Sequence, residues 1–164
     1  MKNLAFDFTV NQSNKTVRVT REFAADKNKV WSAWTEKEIL DQWWAPNPWK
    51  ADTKSMDFRE GGKWIYAMRG PEGEEHWSLA QYISIQPKNY FKAMDAFCDS
   101  EGNINEDFPQ ARWDVSFQEK NENTLVIIQL NFETLEDLEK LVEMGFKEGF
   151  TMAMENLDEI FANK

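Results

Sequence analysis

Residues 134–163 carry a helical hydrophobic period almost to the end of the chain, and glycine sits in the middle of the apolar stripe. At 100° per residue, Leu135, Leu138, Val142, Gly145, Phe146, Gly149, Ala153, Asn156, Leu157 and Ile160 share one side. Glu136, Asp137, Lys140, Glu143, Lys147, Glu155 and Asp158 fall elsewhere. The pattern predicts one amphipathic C-terminal helix over 134–163, which must lie on another layer. Thr134 as cap, with Asp137 three residues on, marks its start, and acidic residues suit the positive end of the helix dipole. Glu136–Lys140 and Glu143–Lys147 add supporting i,i+4 pairs. Gly145, Gly149 and Ala153 recur where larger residues would bury more, and each glycine costs roughly 1 kcal/mol against alanine in a helix interior. Two arrangements account for them: close approach of the helix backbone to a sheet, or a helix that roofs a cavity and leaves it room. The charges on the other faces exclude a membrane helix dimer.

The preceding residues read as that sheet. Leu4, Phe6, Phe8 and Val10 alternate with polar residues, residues 11–15 are turn chemistry, and Val17, Val19, Arg21 and Phe23 alternate again, which predicts a β-hairpin. Asp26 is placed to cap a short helix carrying Val30, Trp31 and Trp34, and Thr35 with Glu38 suggests a second cap leading to Ile39, Leu40, Trp43 and Trp44. Pro46 and Pro48 end this pair of short helices. From Ser55 the period is two: Trp64, Tyr66 and Met68 lie on one parity, and the turn at residues 70–73 precedes strands near 74–85 and 90–97. Apolar residues occur on both parities of those two strands, so neither shows an inward face. Trp113, Val115 and Phe117 alternate cleanly, as do Val126, Ile128, Leu130 and Phe132. Hairpin-linked strands imply an antiparallel sheet, and one helix covers only one face. An α+β fold follows, with a curved antiparallel sheet around the long C-terminal helix and two short helices after the first strands.

The 164 residues are expected to form a single domain. A net charge of −10, from 29 acidic and 19 basic residues, argues against nucleic acid or an anionic membrane surface as partner. No segment approaches 18 apolar residues and no signal-like run opens the chain. Cys98 is the lone cysteine, which with the foregoing makes a cytoplasmic setting the expectation. Eight tryptophans, twelve phenylalanines and three tyrosines exceed what a core of this size needs, so some are expected to line a pocket or interface.

Several stretches also resemble a known group. Arg21-Glu22-Phe23, residues 30–35 (VWSAWT) and residues 40–46 (LDQWWAP) resemble the opening of proteins in the heat-shock protein 90 ATPase activator homologue group of the START-like, or SRPBCC, superfamily. Residues 57–64 (DFREGGKW), followed by Met68-Arg69-Gly70-Pro71-Glu72-Gly73, resemble its middle, and Glu148-Gly149-Phe150 its last helix. The resemblance runs from about Thr16 to Phe161; the hairpin strand within residues 1–14 is an addition to the shortest members. It implies a helix-grip fold with an apolar cavity between sheet and helix, used in the superfamily for lipids, hormones, polyketides and other hydrophobic molecules, and by a few members for catalysis. The co-chaperones that give the group its name carry a further domain that is not in this sequence.

For site chemistry, His76 is the only histidine and stands beside Glu74 and Glu75, without a recognisable nucleophile or orienting partner; it is expected at a surface or cavity rim. One histidine and one cysteine make no usual zinc set, residues 99–103 lack calcium-loop spacing, and Gly61-Gly62-Lys63 is not a phosphate loop, so no metal and no cofactor is expected. Trp43, Trp44 and Trp49, with Pro46 and Pro48, form a rigid apolar cluster where a cavity entrance or a plug would lie. Trp64, Tyr66, Met68, Trp113, Val115 and Phe117 would be cavity wall, and Gly145, Gly149 and Ala153 its ceiling. Arg21, Asp95, Arg112 and Asp114 are the polar strand residues available to orient a ligand. The leading expectation is a non-catalytic module that binds a hydrophobic or aromatic small molecule. A cyclase- or hydrolase-like enzyme using the same cavity and a protein-interaction module acting on a chaperone are the alternatives. Whether it works as monomer or homodimer stays open.

Overall fold

The structure, a computed structural model, describes residues 4–162. The opening hairpin forms as expected: β1 (Phe6–Asn11) pairs antiparallel with β2 (Thr16–Phe23), Val10 opposite Val17. Two short helices follow, α1 (Lys27–Thr35) and α2 (Lys37–Trp43), then β3 (Lys50–Met56), β4 (Lys63–Arg69), β5 (Glu75–Gln86), β6 (Tyr90–Cys98), β7 (Ala111–Lys120) and β8 (Asn123–Asn131). The chain ends in α3 (Leu135–Glu143) and α4 (Phe146–Ala162). All eight strands belong to one sheet in the order β1-β2-β8-β7-β6-β5-β4-β3, antiparallel throughout. This is the helix-grip architecture, with α1, α2 and the C-terminal helices on one face of the sheet. No described helix is long and apolar enough to cross a membrane.

Asp26 caps α1, its carboxylate accepting from the Lys29 N–H at 2.9 Å. The second expected cap does not form. Thr35 is still inside α1 and its hydroxyl donates to the Trp31 carbonyl at 2.8 Å, so α2 begins after Glu36 without a side-chain cap. Trp43 is fully buried between the two helices, its indole N–H donating to the Ala33 carbonyl at 2.9 Å. Asn156 of α4 reaches the Ala45 carbonyl at 3.1 Å, which fixes the end of α2 against the C-terminal helix.

The faces of β5 and β6 that the sequence left unread are now defined. Ser78, Ala80 and Tyr82 point inward from β5, and Phe91, Ala93 and Asp95 from β6. A bulge between Tyr82 and Ser84 then shifts the register, so that Ile85 turns inward opposite Phe91 while Ile83 is half exposed. On the outer face Ile65, Leu79 and Ala96 lie opposite one another across β4, β5 and β6, and Leu79 and Ala96 are buried. The loop after β6 reaches Ile65, whose Cδ1 would sit 3.0 Å from a Cβ built on Gly102.

The C-terminal helical segment is divided. Residues 134–163 do not form one continuous helix: α3 closes at Met144, Gly145 takes φ +91°, and α4 starts at Phe146. Thr134 caps α3 as expected, accepting from the Asp137 N–H at 3.1 Å, and Asn163 lies outside the described residues. The break is a backbone requirement, since a positive φ is readily adopted by glycine and strains an L side chain. Gly149 differs from Gly145. It is inside α4, and a Cβ there would meet only Pro46 Cγ at 3.7 Å, an ordinary contact. Opposite effects are therefore expected from one substitution. Gly145→Ala should lower stability by about 1 kcal/mol through backbone strain. Gly149→Ala should raise it by up to about 1 kcal/mol through helix propensity. Urea denaturation of both variants checks the two signs.

Candidate functional site

Between the sheet and the C-terminal helices lies a cavity of about 260 Å³. Its floor comes from the inward residues of four adjacent strands: Tyr66 and Met68 of β4, His76 and Ser78 of β5, Asp95 and Phe97 of β6, and Trp113 of β7. Trp44 and Pro46, just past α2, form one wall. Leu141, Met144, Gly145, Phe146, Gly149 and Phe150 form the roof, so the α3–α4 break stands directly over the space. His76 and Met144 are exposed and mark the mouth. Three rings make its inner corner: Trp44 and Trp113 have centroids 5.7 Å apart, Trp113 and Phe150 5.6 Å, and Trp44 and Phe150 6.0 Å. A space of about 30 Å³ adjoins it behind Trp44, Asp95 and Trp113, bounded also by Trp34, Trp64 and Tyr82.

Polar groups are few and concentrated on the floor. Tyr66 is buried, its hydroxyl accepting from the Trp44 indole N–H at 2.9 Å, and burial raises its pKa far above the ordinary phenol value. Asp95 is partly buried on a strand whose other inward residues are apolar or aromatic. Burial pushes its carboxyl up to about 7, while the neighbouring Trp113 indole N–H pulls the other way. No arginine or lysine is paired with it among the described residues. Neither Trp113 Nε1 nor Trp34 Nε1 makes a well-formed hydrogen bond within the protein. Among the described residues no three His, Cys, Asp or Glu side chains converge as a metal set.

The cavity brings together Trp44, Tyr66, Met68, Trp113, Gly145 and Gly149, and Trp64 borders the smaller space. Five expected lining residues stand elsewhere. Trp43, Val115, Phe117 and Ala153 are buried in the core away from the opening: Val115 and Phe117 lie further along β7 than Trp113, and Ala153 is one turn past Gly149. Trp49 sits outside, packed on the His76 ring at 5.4 Å and bordering a surface groove beside Asp41 and Asn156. Of the four polar candidates only Asp95 opens into the cavity. Arg21 is a structural tie, donating to Asp158 of α4 at 2.5 Å between the rings of Phe6 and Phe23. Arg112 and Asp114 pair with each other at 3.1 Å on the outer face. Phe97, Leu141, Met144, Phe146 and Phe150 were missed. Phe146 and Phe150 carried a signal, four residues apart beside the glycines, and their rings stack at 5.2 Å.

Residues 24–162 match the family described as Activator of Hsp90 ATPase homolog 1-like protein. The chain belongs to that family. Solved structures similar to this chain agree in fold over nearly the whole length. A crystal structure from Mycobacterium smegmatis has 26% identity and a TM-score of 0.88, with 96% of each chain covered. A solution structure from Arthrobacter aurescens has 27% identity and a TM-score of 0.90, covering 96% of this chain and 92% of that one. The AHSA1 protein from Silicibacter pomeroyi, 18% identical, shares the fold with a TM-score of 0.70 over 90% of this chain and 97% of its own. No curated protein matched the sequence.

Proposed function

We propose that this protein binds a small, largely apolar molecule in the cavity between its sheet and α4. The observation that carries the reading is a space of about 260 Å³ walled by aromatic side chains with its polar groups gathered on the floor. Ligand sites usually run from roughly 300 to 1,000 Å³, and an apolar cavity of about 150 Å³ holds benzene. The occupant is therefore small, about one aromatic ring with a short chain, and full-length lipids are too large for the cavity in this conformation. Native mass spectrometry of gently purified protein, with tryptophan-fluorescence titration against a library of small aromatic metabolites, tests the reading. A retained or titrating compound supports it; no binder of any class, and no change on titration, overturns it.

Asp95 favours a second reading, catalysis in the same cavity, because a carboxyl held near neutral pKa is suited to proton transfer. A covalent route has no support from Cys98, whose thiol is pushed up to about 11 by burial and by Asp99 and Asp95. Conversion of a bound compound, lost in Asp95→Asn with binding retained, would establish catalysis. Action on a chaperone, which the family description names, remains a proposal tested by pull-down and ATPase stimulation. Five of the eight tryptophans are buried, and Trp44, Trp49 and Trp77 are partly exposed.

A further inference from the structure

The cavity is electrostatically one-sided. Asp95 is the acidic group on its floor, and among the described residues no lysine or arginine lines the space. The other ionisable groups that face Asp95 are few. Tyr66 of β4 and Tyr82 of β5 are kept protonated by burial, Cys98 of β6 is kept as a thiol for the same reason, and His76 of β5 stands at the mouth. The lining residues from α3, α4 and the end of α2 carry no ionisable side chain. The carboxyl shares the cavity with the rings of Trp44, Trp113 and Phe150, which stand within 6.0 Å of one another, and the electron-rich faces of such rings attract cations. The net charge of −10 also favours approach of a cation over an anion.

We propose that the cavity selects a small organic ammonium ion, an aromatic or short-chain amine, held against the rings of Trp44, Trp113 and Phe150 with the Asp95 carboxylate as counter-charge. The inference rests on the small-molecule reading and adds the ligand's charge to it. An anionic ligand would meet the carboxylate directly. A neutral acceptor would need Asp95 protonated and would bind better in acid. An ammonium ion uses the ionised form, so its binding strengthens as pH rises through the carboxyl's titration, which burial places at about 7. The Trp113 indole N–H lies beside that carboxyl and steadies its charged form.

Three matched probes decide between these cases: phenethylamine, phenethyl alcohol and phenylacetate, titrated by calorimetry and tryptophan fluorescence into the full chain. Phenethylamine is expected to bind at least about tenfold tighter than the alcohol near pH 8, with phenylacetate weakest. Near pH 5.5 the amine is still charged but Asp95 is protonated, and the preference should shrink to about threefold or less. Asp95→Asn should bring amine and alcohol to similar affinity near pH 8; the wild-type pH comparison stands alone if that variant fails to fold. If the alcohol or phenylacetate binds as well as the amine, or the preference ignores pH, the cation assignment is overturned and the small-molecule reading stands. If none of the three binds, the assignment is likewise overturned, and the wider metabolite screen alone then decides the small-molecule reading.

Discussion

Gly149→Leu is expected to yield a protein that folds at least as well as the wild type and binds its ligand roughly 10- to 100-fold more weakly. The two halves have separate causes. Gly149 lies in the body of α4 with ordinary helical backbone, so leucine removes a penalty of nearly 1 kcal/mol in helix propensity. The first atom of the new side chain meets only Pro46 Cγ at 3.7 Å, and the remaining carbons have the cavity to enter. A ligand must then share a space of about 260 Å³ with a leucyl group. Overpacking of a well-filled site costs roughly 1–3 kcal/mol, a range that brackets a loss of about 10- to 100-fold in affinity. Urea denaturation and ligand titration of the same preparation test both halves. Loss of folding would mean that Gly149 serves close packing of helix on sheet, and full stability with unchanged affinity would place the ligand elsewhere.

That test is sharp because Gly145 and Gly149, which share one stripe in the sequence, turn out to have different tasks. Spacing showed the stripe and its position over the sheet, but it could not show that Gly145 takes a positive φ and ends a helix. Periodicity continues across such a break, since α3 and α4 both keep apolar residues toward the core. The inward face of β7 was legible for a simple reason: Trp113, Val115 and Phe117 are buried while Asp114 and Ser116 are only partly so. In β5 and β6 the same rule failed because both faces are covered. Leu79 and Ala96 are buried outside, and the bulge after Tyr82 moves Ile85 to the inner parity. That uncertainty concealed the most informative cavity residue. Asp95 was one polar strand residue among four until its face was known. The clustering of Trp43, Trp44 and Trp49 in sequence likewise did not survive folding, because α2 turns Trp43 into the core, Trp44 toward the cavity and the chain carries Trp49 outside.

Asp95→Asn is expected to stabilise the fold near pH 8 by roughly 2–4 kcal/mol and to have little effect near pH 3. Burial raises the carboxyl from its ordinary value of 3.8 to about 7, so between those values the folded protein holds a proton that the unfolded chain has released. Stability therefore falls as pH rises through this window, and the full penalty is present above it. At about 1.4 kcal/mol for each tenfold change in proton affinity, the whole difference is somewhat over 4 kcal/mol, and solvent entering at the mouth reduces it. Asparagine keeps the shape and an acceptor for the Trp113 N–H but has no charge to desolvate. Chemical denaturation of wild type and variant at both pH values isolates the effect, since other titrating groups are common to the pair. Equal differences at the two pH values would show that the carboxyl is solvated. A residue that weakens its own fold at neutral pH, with no lysine or arginine beside it to offset the loss, fits the proposed role of counter-charge in the cavity. An ammonium ligand supplies the missing counter-charge, so saturating phenethylamine near pH 8 should stabilise the wild type by about 1 kcal/mol more than it stabilises Asp95→Asn.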